Sequence, residues 1–156
     1  METKPLMMMM KTSISDVLET MFYLPLEISA SSNWEETGVH EEDVLISKLD
    51  FKGSFNGSSF FFVPQMLAMN LTASFLGSDK SQITQEQVLE TVGEILNMMT
   101  GGTFSSYDDQ AVFDLGIPEH VDLASVRARE AGSKNIAFVG IDTLDSVSAF
   151  QLVIED

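Results

Sequence analysis

No cysteine occurs among the 156 residues. Disulfides, thiolate metal sites and thiol nucleophiles are therefore excluded. Basic residues are also scarce: eight Lys and Arg stand against 24 Asp and Glu, for a net charge of -16. Binding to nucleic acid or to an anionic membrane needs a basic patch, and the few cations are scattered, so neither is expected as a partner. The acidity reads as solubility. The two histidines, His40 and His120, lie far apart, and the carboxylates around them lack metal-ligand spacing. No apolar run is long enough to span a membrane. The run over residues 5–10 is too short for a signal-peptide core, and no small-residue cleavage site follows it. These absences agree with a cytoplasmic location. Missing too are a Gly-rich phosphate loop, GxSxG, HExxH and an EF-hand loop. A self-sufficient hydrolase is hard to assemble from this inventory.

The length suits one domain over residues 1–156, burying about two-thirds of its unfolded surface. Its most informative stretch is residues 84–102, TQEQVLETVGEILNMMTGG. Thr84 with Gln87 forms a capping-box pattern, and Gly101-Gly102 reads as a C-terminal stop. At about 100° per residue, Val88, Val92, Ile95, Leu96 and Met99 share one stripe, which must face a core. Glu90, Glu94, Asn97 and Gly101 fall on the opposite side. Glu94 and Asn97, three residues apart, project together from one surface.

The spacing Glu94-Ile95-Leu96-Asn97, followed by Gly101, resembles the ExxN signature of the CheX/CheC/FliY chemotaxis phosphatases. The resemblance implies an α+β fold, an antiparallel sheet carrying two long helices on one face, often as a homodimer. It implies hydrolysis of the aspartyl-phosphate of a CheY-type response regulator. Asn97 would position the attacking water and Glu94 would dock to the receiver's lysine. Glu90 and Gly101 would contact the partner, although CheC-type members have Asp or Ser where this chain has Glu90. No cofactor of its own is implied, only Mg2+ within the partner receiver. Pro118 follows a strand as in the family pattern, slightly sooner than a CheC-type chain places it. The rival reading is a non-catalytic adaptor or dimeric module using the same surface.

A first helix is expected over residues 13–22, with Ile14, Val17, Leu18 and Met21 buried and Ser13 or Thr12 as its cap. Residues 1–11 read as a poorly ordered lead-in or part of an edge strand. Setting Glu19 against Glu94 places Phe22 where Asn97 stands. A phenyl ring cannot hold water by hydrogen bonds, so one centre at most remains. Strands are expected over residues 24–28, 43–51, 58–63 and 111–115, with a closing pair over 135–141 and 146–154. Gly53, Asn56 and Gly57 supply turn chemistry. Residues 64–76 read as a helix opened by Pro64 and ended by Gly77. Met66, Leu67, Met69, Leu71 and Phe75 of that helix are assigned to the core. Trp34 is expected to pin the loop over residues 29–41. Residues 123–131 fit either a strand or a helix.

Overall fold

A computed structural model of the chain describes residues 2–108, 110 and 112–155. Its centre is a seven-stranded sheet in which every pairing is antiparallel. In chain order the strands are β1 (Glu27–Ile28), β2 (Val44–Lys52), β3 (Gly57–Pro64), β4 (Asp114–Leu115), β5 (Glu119–Val121), β6 (Asn135–Asp142) and β7 (Val147–Ile154). In space they run β1-β6-β7-β3-β2, and both β4 and β5 pair with the outer edge of β2. The helices are α1 (Lys4–Ile14), α2 (Gln65–Leu76), α3 (Gln85–Tyr107) and α4 (Leu123–Glu130). α1 runs on through a π-helical stretch, Ser15–Met21. This is the expected α+β architecture.

Period-two alternation sorts the strand side chains into two cores. Leu45, Leu49 and Phe51 of β2, Phe61 and Val63 of β3, and Phe150 and Leu152 of β7 face the layer formed by α1, α2 and α3. The intervening residues, including Ile46, Phe60, Phe62 and Phe138, form a second core on the other face. Trp34 stacks on Phe62 at 4.8 Å between ring centroids and pins its loop there, as expected. The stretch over residues 123–131 resolves as helix α4. Asp122 caps it by accepting from the Ser125 backbone N–H, and that hydrogen bond, with a second from the Ser125 hydroxyl, holds the carboxyl below its ordinary pKa. α4 lays Val126 on the Trp34 face. The long helices share one face, and this short one lies on the other.

Several local expectations are corrected. Helix begins at Lys4, within the presumed lead-in. Leu6, Met10 and Ile14, spaced by four, are fully buried, and this core face outweighs the apparently uniform methionine run. Met21, expected inside, is exposed, because the π-helical stretch changes the rotation per residue. α3 does not stop at Gly101-Gly102 but continues to Tyr107. The residues after the glycines explain this. Phe104 is buried and stacks on Phe113 at 4.3 Å, so packing outweighs the local cost of two glycines, about 1 kcal/mol each. The expected strand over residues 24–28 narrows to Glu27–Ile28, while Leu24 and Leu26 pack on the core as irregular chain. The one expected from Ala111 is paired only at Asp114–Leu115, and Ala111 lies outside the described residues. The α2 assignment divides: Leu71 is buried and Leu67 and Met69 are half-buried, but Met66 and Phe75 are exposed.

α1 and α3 meet at a contact that only glycine permits. A Cβ at Gly102 would stand 2.6 Å from Ser13 Oγ. That hydroxyl, expected as a helix cap, instead donates to the Met99 carbonyl at 2.7 Å in the buried interface. Gly102→Ala is therefore expected to destabilise the protein by about 1–3 kcal/mol, despite alanine's better helix propensity. The double variant Ser13→Ala/Gly102→Ala makes room and should be more stable than the two single effects summed. Thermal melts of all three variants check this; strict additivity would show that the helices do not meet there.

Candidate functional site

α3 opens with the capping box read from sequence. Thr84 Oγ1 accepts from the Gln87 backbone N–H at 3.1 Å, and Gln87 Oε1 accepts from the Thr84 N–H at 3.0 Å. Of the apolar stripe, Val88, Val92, Ile95, Leu96 and Met99 are buried in the inner core, and Leu89 is half-buried at its edge. The helix is tied to the sheet by a buried polar contact. Thr100 Oγ1 lies 2.9 Å from Ser59 Oγ on β3 and donates to the Leu96 carbonyl at 2.7 Å. The phase of α3 about its axis is thus set twice, by apolar burial and by this hydroxyl pair.

With that phase, the polar face turns outward. Glu90 and Glu94 are exposed, and Asn97 and Gly101 are half-buried. The side chains of Glu90, Glu94 and Asn97 make no hydrogen bond or ion pair with any described residue. Carboxylate and amide are therefore presented together, with their hydrogen-bonding capacity unspent inside the fold. The corresponding side chain of the first half is different. Phe22 is buried and stacks on Phe75 at 5.8 Å, while Glu19 accepts from Ser15 Oγ at 2.6 Å. The ring serves packing.

Two structures flank the face; the sequence singled out Pro118 of the second as part of the family pattern, but placed neither beside the helix. On one side, Phe75 and Leu76 at the end of α2 form a cavity of about 330 Å³ with Gln87, Glu90, Thr91 and Glu94. On the other side runs the Leu-Gly-Ile-Pro segment over residues 115–118. A Cβ at Gly93 would stand 2.9 Å from Pro118 Cβ, so glycine there seats the proline directly on the helix. A glycine inside a long amphipathic helix carries a cost of about 1 kcal/mol, and that was the available signal of a close approach. Leu115 reaches the helix near Gly101, 3.8 Å from where its Cβ would be. His120 is exposed on β5 opposite Ser47, and among the described residues no group of His, Asp and Glu is gathered closely enough to hold a metal ion. No helix of the described residues is long and apolar enough to cross a membrane.

The fold is shared with solved structures at low identity. A CheC-like superfamily protein from Shewanella sp. PV-4 superposes with a TM-score of 0.77 at 20% identity, covering 100% of each chain. A chemotaxis protein CheX from Vibrio vulnificus gives 0.70 at 19% identity over 96% of each chain. The CheX–CheY–BeF3–Mg2+ complex from Borrelia burgdorferi gives 0.68 at 15% identity, over 98% of this chain and 97% of that one. No curated protein matches the sequence. The sequence profile described as chemotaxis phosphatase CheX, however, matches residues 45–142, which contain the whole of α3 and both of its flanks. The chain belongs to the CheX family of chemotaxis phosphatases.

Proposed function

We propose that this protein removes phosphate from the aspartyl-phosphate of a CheY-type response regulator, with Asn97 as the residue that positions water. The observation that carries the reading is the unspent pair itself. Asn97 and Glu94 stand on the outer face of a helix whose inner face is buried, and neither has a structural partner. Family membership supports the reaction class, and the related CheX complex holds a CheY with BeF3 and Mg2+, BeF3 being a phosphoryl mimic.

A phosphorylated receiver brings its own lysine and Mg2+ to the reaction. What it lacks is a fixed, in-line water. Water attacks phosphorus, the bond from phosphorus to the aspartate oxygen breaks, and inorganic phosphate and the carboxylate leave. Phosphoryl transfer of this kind depends on alignment and charge stabilisation more than on a strong base. The Asn97 amide can accept from the water with its oxygen and donate to a phosphoryl oxygen with its nitrogen. Glu94 pairs with the receiver's lysine and sets the docking register. Gly101, half-buried and without a side chain, lets the partner backbone come close, and Glu90 borders the contact. The reading treats residues 1–156 as one domain acting in the cytoplasm beside its receiver. The homodimer implied by the resemblance is tested by sedimentation.

The direct test incubates the protein with a phosphorylated receiver and follows loss of phosphate. Binding without accelerated loss would favour the adaptor reading. Glu94 and Asn97 should also separate kinetically. The Glu94–lysine contact forms on docking and persists through the reaction, so it is largely uniform binding. Glu94→Ala should mainly raise the receiver concentration giving half-maximal rate, while Asn97→Ala should mainly lower the saturating rate. A Glu94→Ala protein that binds normally but turns over slowly would move the carboxylate into the chemistry.

A further inference from the structure

The strand register beside α3 contains an irregularity. Lys48 faces Glu119 and Phe51 faces Leu115. Between those pairs β2 has two residues, Leu49 and Asp50, and the facing segment has three, Gly116, Ile117 and Pro118. β4 and β5 are therefore one edge strand interrupted by a one-residue bulge. Its backbone is anchored where the Gly116 N–H donates to the Asp50 carbonyl at 2.7 Å. Proline, which has no N–H to give to the ladder, is tolerated at a bulge.

The extra residue decides which side chains reach α3. In an unbroken strand, residues 115 and 118 would point to opposite faces. The bulge restores Pro118 to the face of Leu115, so that Leu115 meets α3 at Gly101 and Pro118 meets it at Gly93. Asn97 lies four residues from each contact. Ile117, next to Pro118, touches neither core and is 90% exposed. Bulges recur beside functional sites because they re-aim one side chain.

We propose that Ile117 is a docking residue for the phosphorylated CheY-type receiver, making the apolar contact beside the polar Glu94–Asn97 pair. The inference rests on the proposed function and extends it to a residue outside the helix. The receiver is the occupant because the surface is continuous with the site it must reach. A stable interface takes about 800 Å² from each partner, a patch reaching roughly 16 Å from its centre. Gly93 is only about 6 Å along the helix axis from Asn97. A receiver that brings its phosphoryl group to the Asn97 amide therefore covers Ile117. Anchored backbone also holds this side chain ready at little entropic cost, a property of residues that dominate interfaces.

The test compares wild type, Ile117→Ser, Ile117→Leu and Leu144→Ser. Leu144 is 96% exposed on the turn between β6 and β7, across the sheet from β5, and serves as the control. Two quantities are read: the affinity for a CheY-type receiver activated with BeF3 and Mg2+, and the rate against the phosphorylated receiver. Ile117→Ser should weaken binding and raise the half-saturating concentration about tenfold, leaving the saturating rate within about twofold. Ile117→Leu should recover most of the loss, and Leu144→Ser should match wild type. Melting should not change in any of them, since the positions are exposed. Ile117→Ser behaving as wild type, or losing only its saturating rate, overturns the docking role while the proposed function stands. A wild-type protein that neither binds nor dephosphorylates any receiver overturns the proposed function itself, and this inference with it.

Discussion

Asn97→Ala is expected to abolish phosphatase activity and leave the fold intact. The side chain is half-buried on the outer face of α3 and has no internal hydrogen bond to lose. Its removal opens no cavity in the core, so thermal stability should move by no more than about 0.5 kcal/mol. The activity loss should be large, because a water displaced by about 1 Å from its in-line position already loses on the order of a hundredfold in rate. Phosphate release from a phosphorylated receiver, measured with receiver in excess, reads the saturating rate directly. Asn97→Asp sharpens the experiment. It keeps the size of the side chain but exchanges the amide nitrogen for a negative oxygen, which repels the phosphoryl group and the attacking hydroxide character alike. If steric fit were the residue's role, Asn97→Asp would retain activity; if the amide is needed, both variants fail. An Asn97→Ala protein that unfolds would make the residue structural, and one with full activity would end the catalytic assignment.

Leu96→Asp, only one residue away, should do the opposite and unfold the protein. Leu96 is 0% exposed and lies in the inner core with Ile95 and Met99. None of the core residues around it offers a cation to pair with a carboxylate. An isolated charge there must either shed its hydration or pull α3 off the sheet, and burying one unpaired costs several kcal/mol beyond the lost packing. A native protein has about 5–15 kcal/mol in total, so a loss above about 4 kcal/mol leaves little folded protein at growth temperature. The check is a melt of the purified variant, or its partition into the insoluble fraction, beside Glu94→Ala as an exposed control on the same helix. An unchanged transition for Leu96→Asp would mean that the two faces of α3 have been exchanged, and the site assignment would fall with it.

These two experiments depend on one property, the phase of α3, and that property was readable from residue order. The apolar stripe recurs with the helical period, so burying it turns Glu90, Glu94, Asn97 and Gly101 outward whatever it packs against. The Thr84–Gln87 capping box, the turn at Gly53 to Gly57 and the replacement of an amide by Phe22 are local in the same sense. Each follows from a few neighbouring side chains and backbone groups. Where the helices end, and what stands beside the site, did not follow. The glycines at 101 and 102 stop a helix on local grounds, but Phe104 gains more by stacking in the core than the glycines cost. The methionine run becomes a helix because Leu6, Met10 and Ile14 find a common surface to bury. Leu115 and Pro118 are brought onto α3, four residues to either side of Asn97, by a register difference between β2 and its edge partner and by a proline seated on Gly93. Those contacts join residues far apart in the chain. Their free energy exists only once sheet and helix are assembled, so no window of sequence contains it.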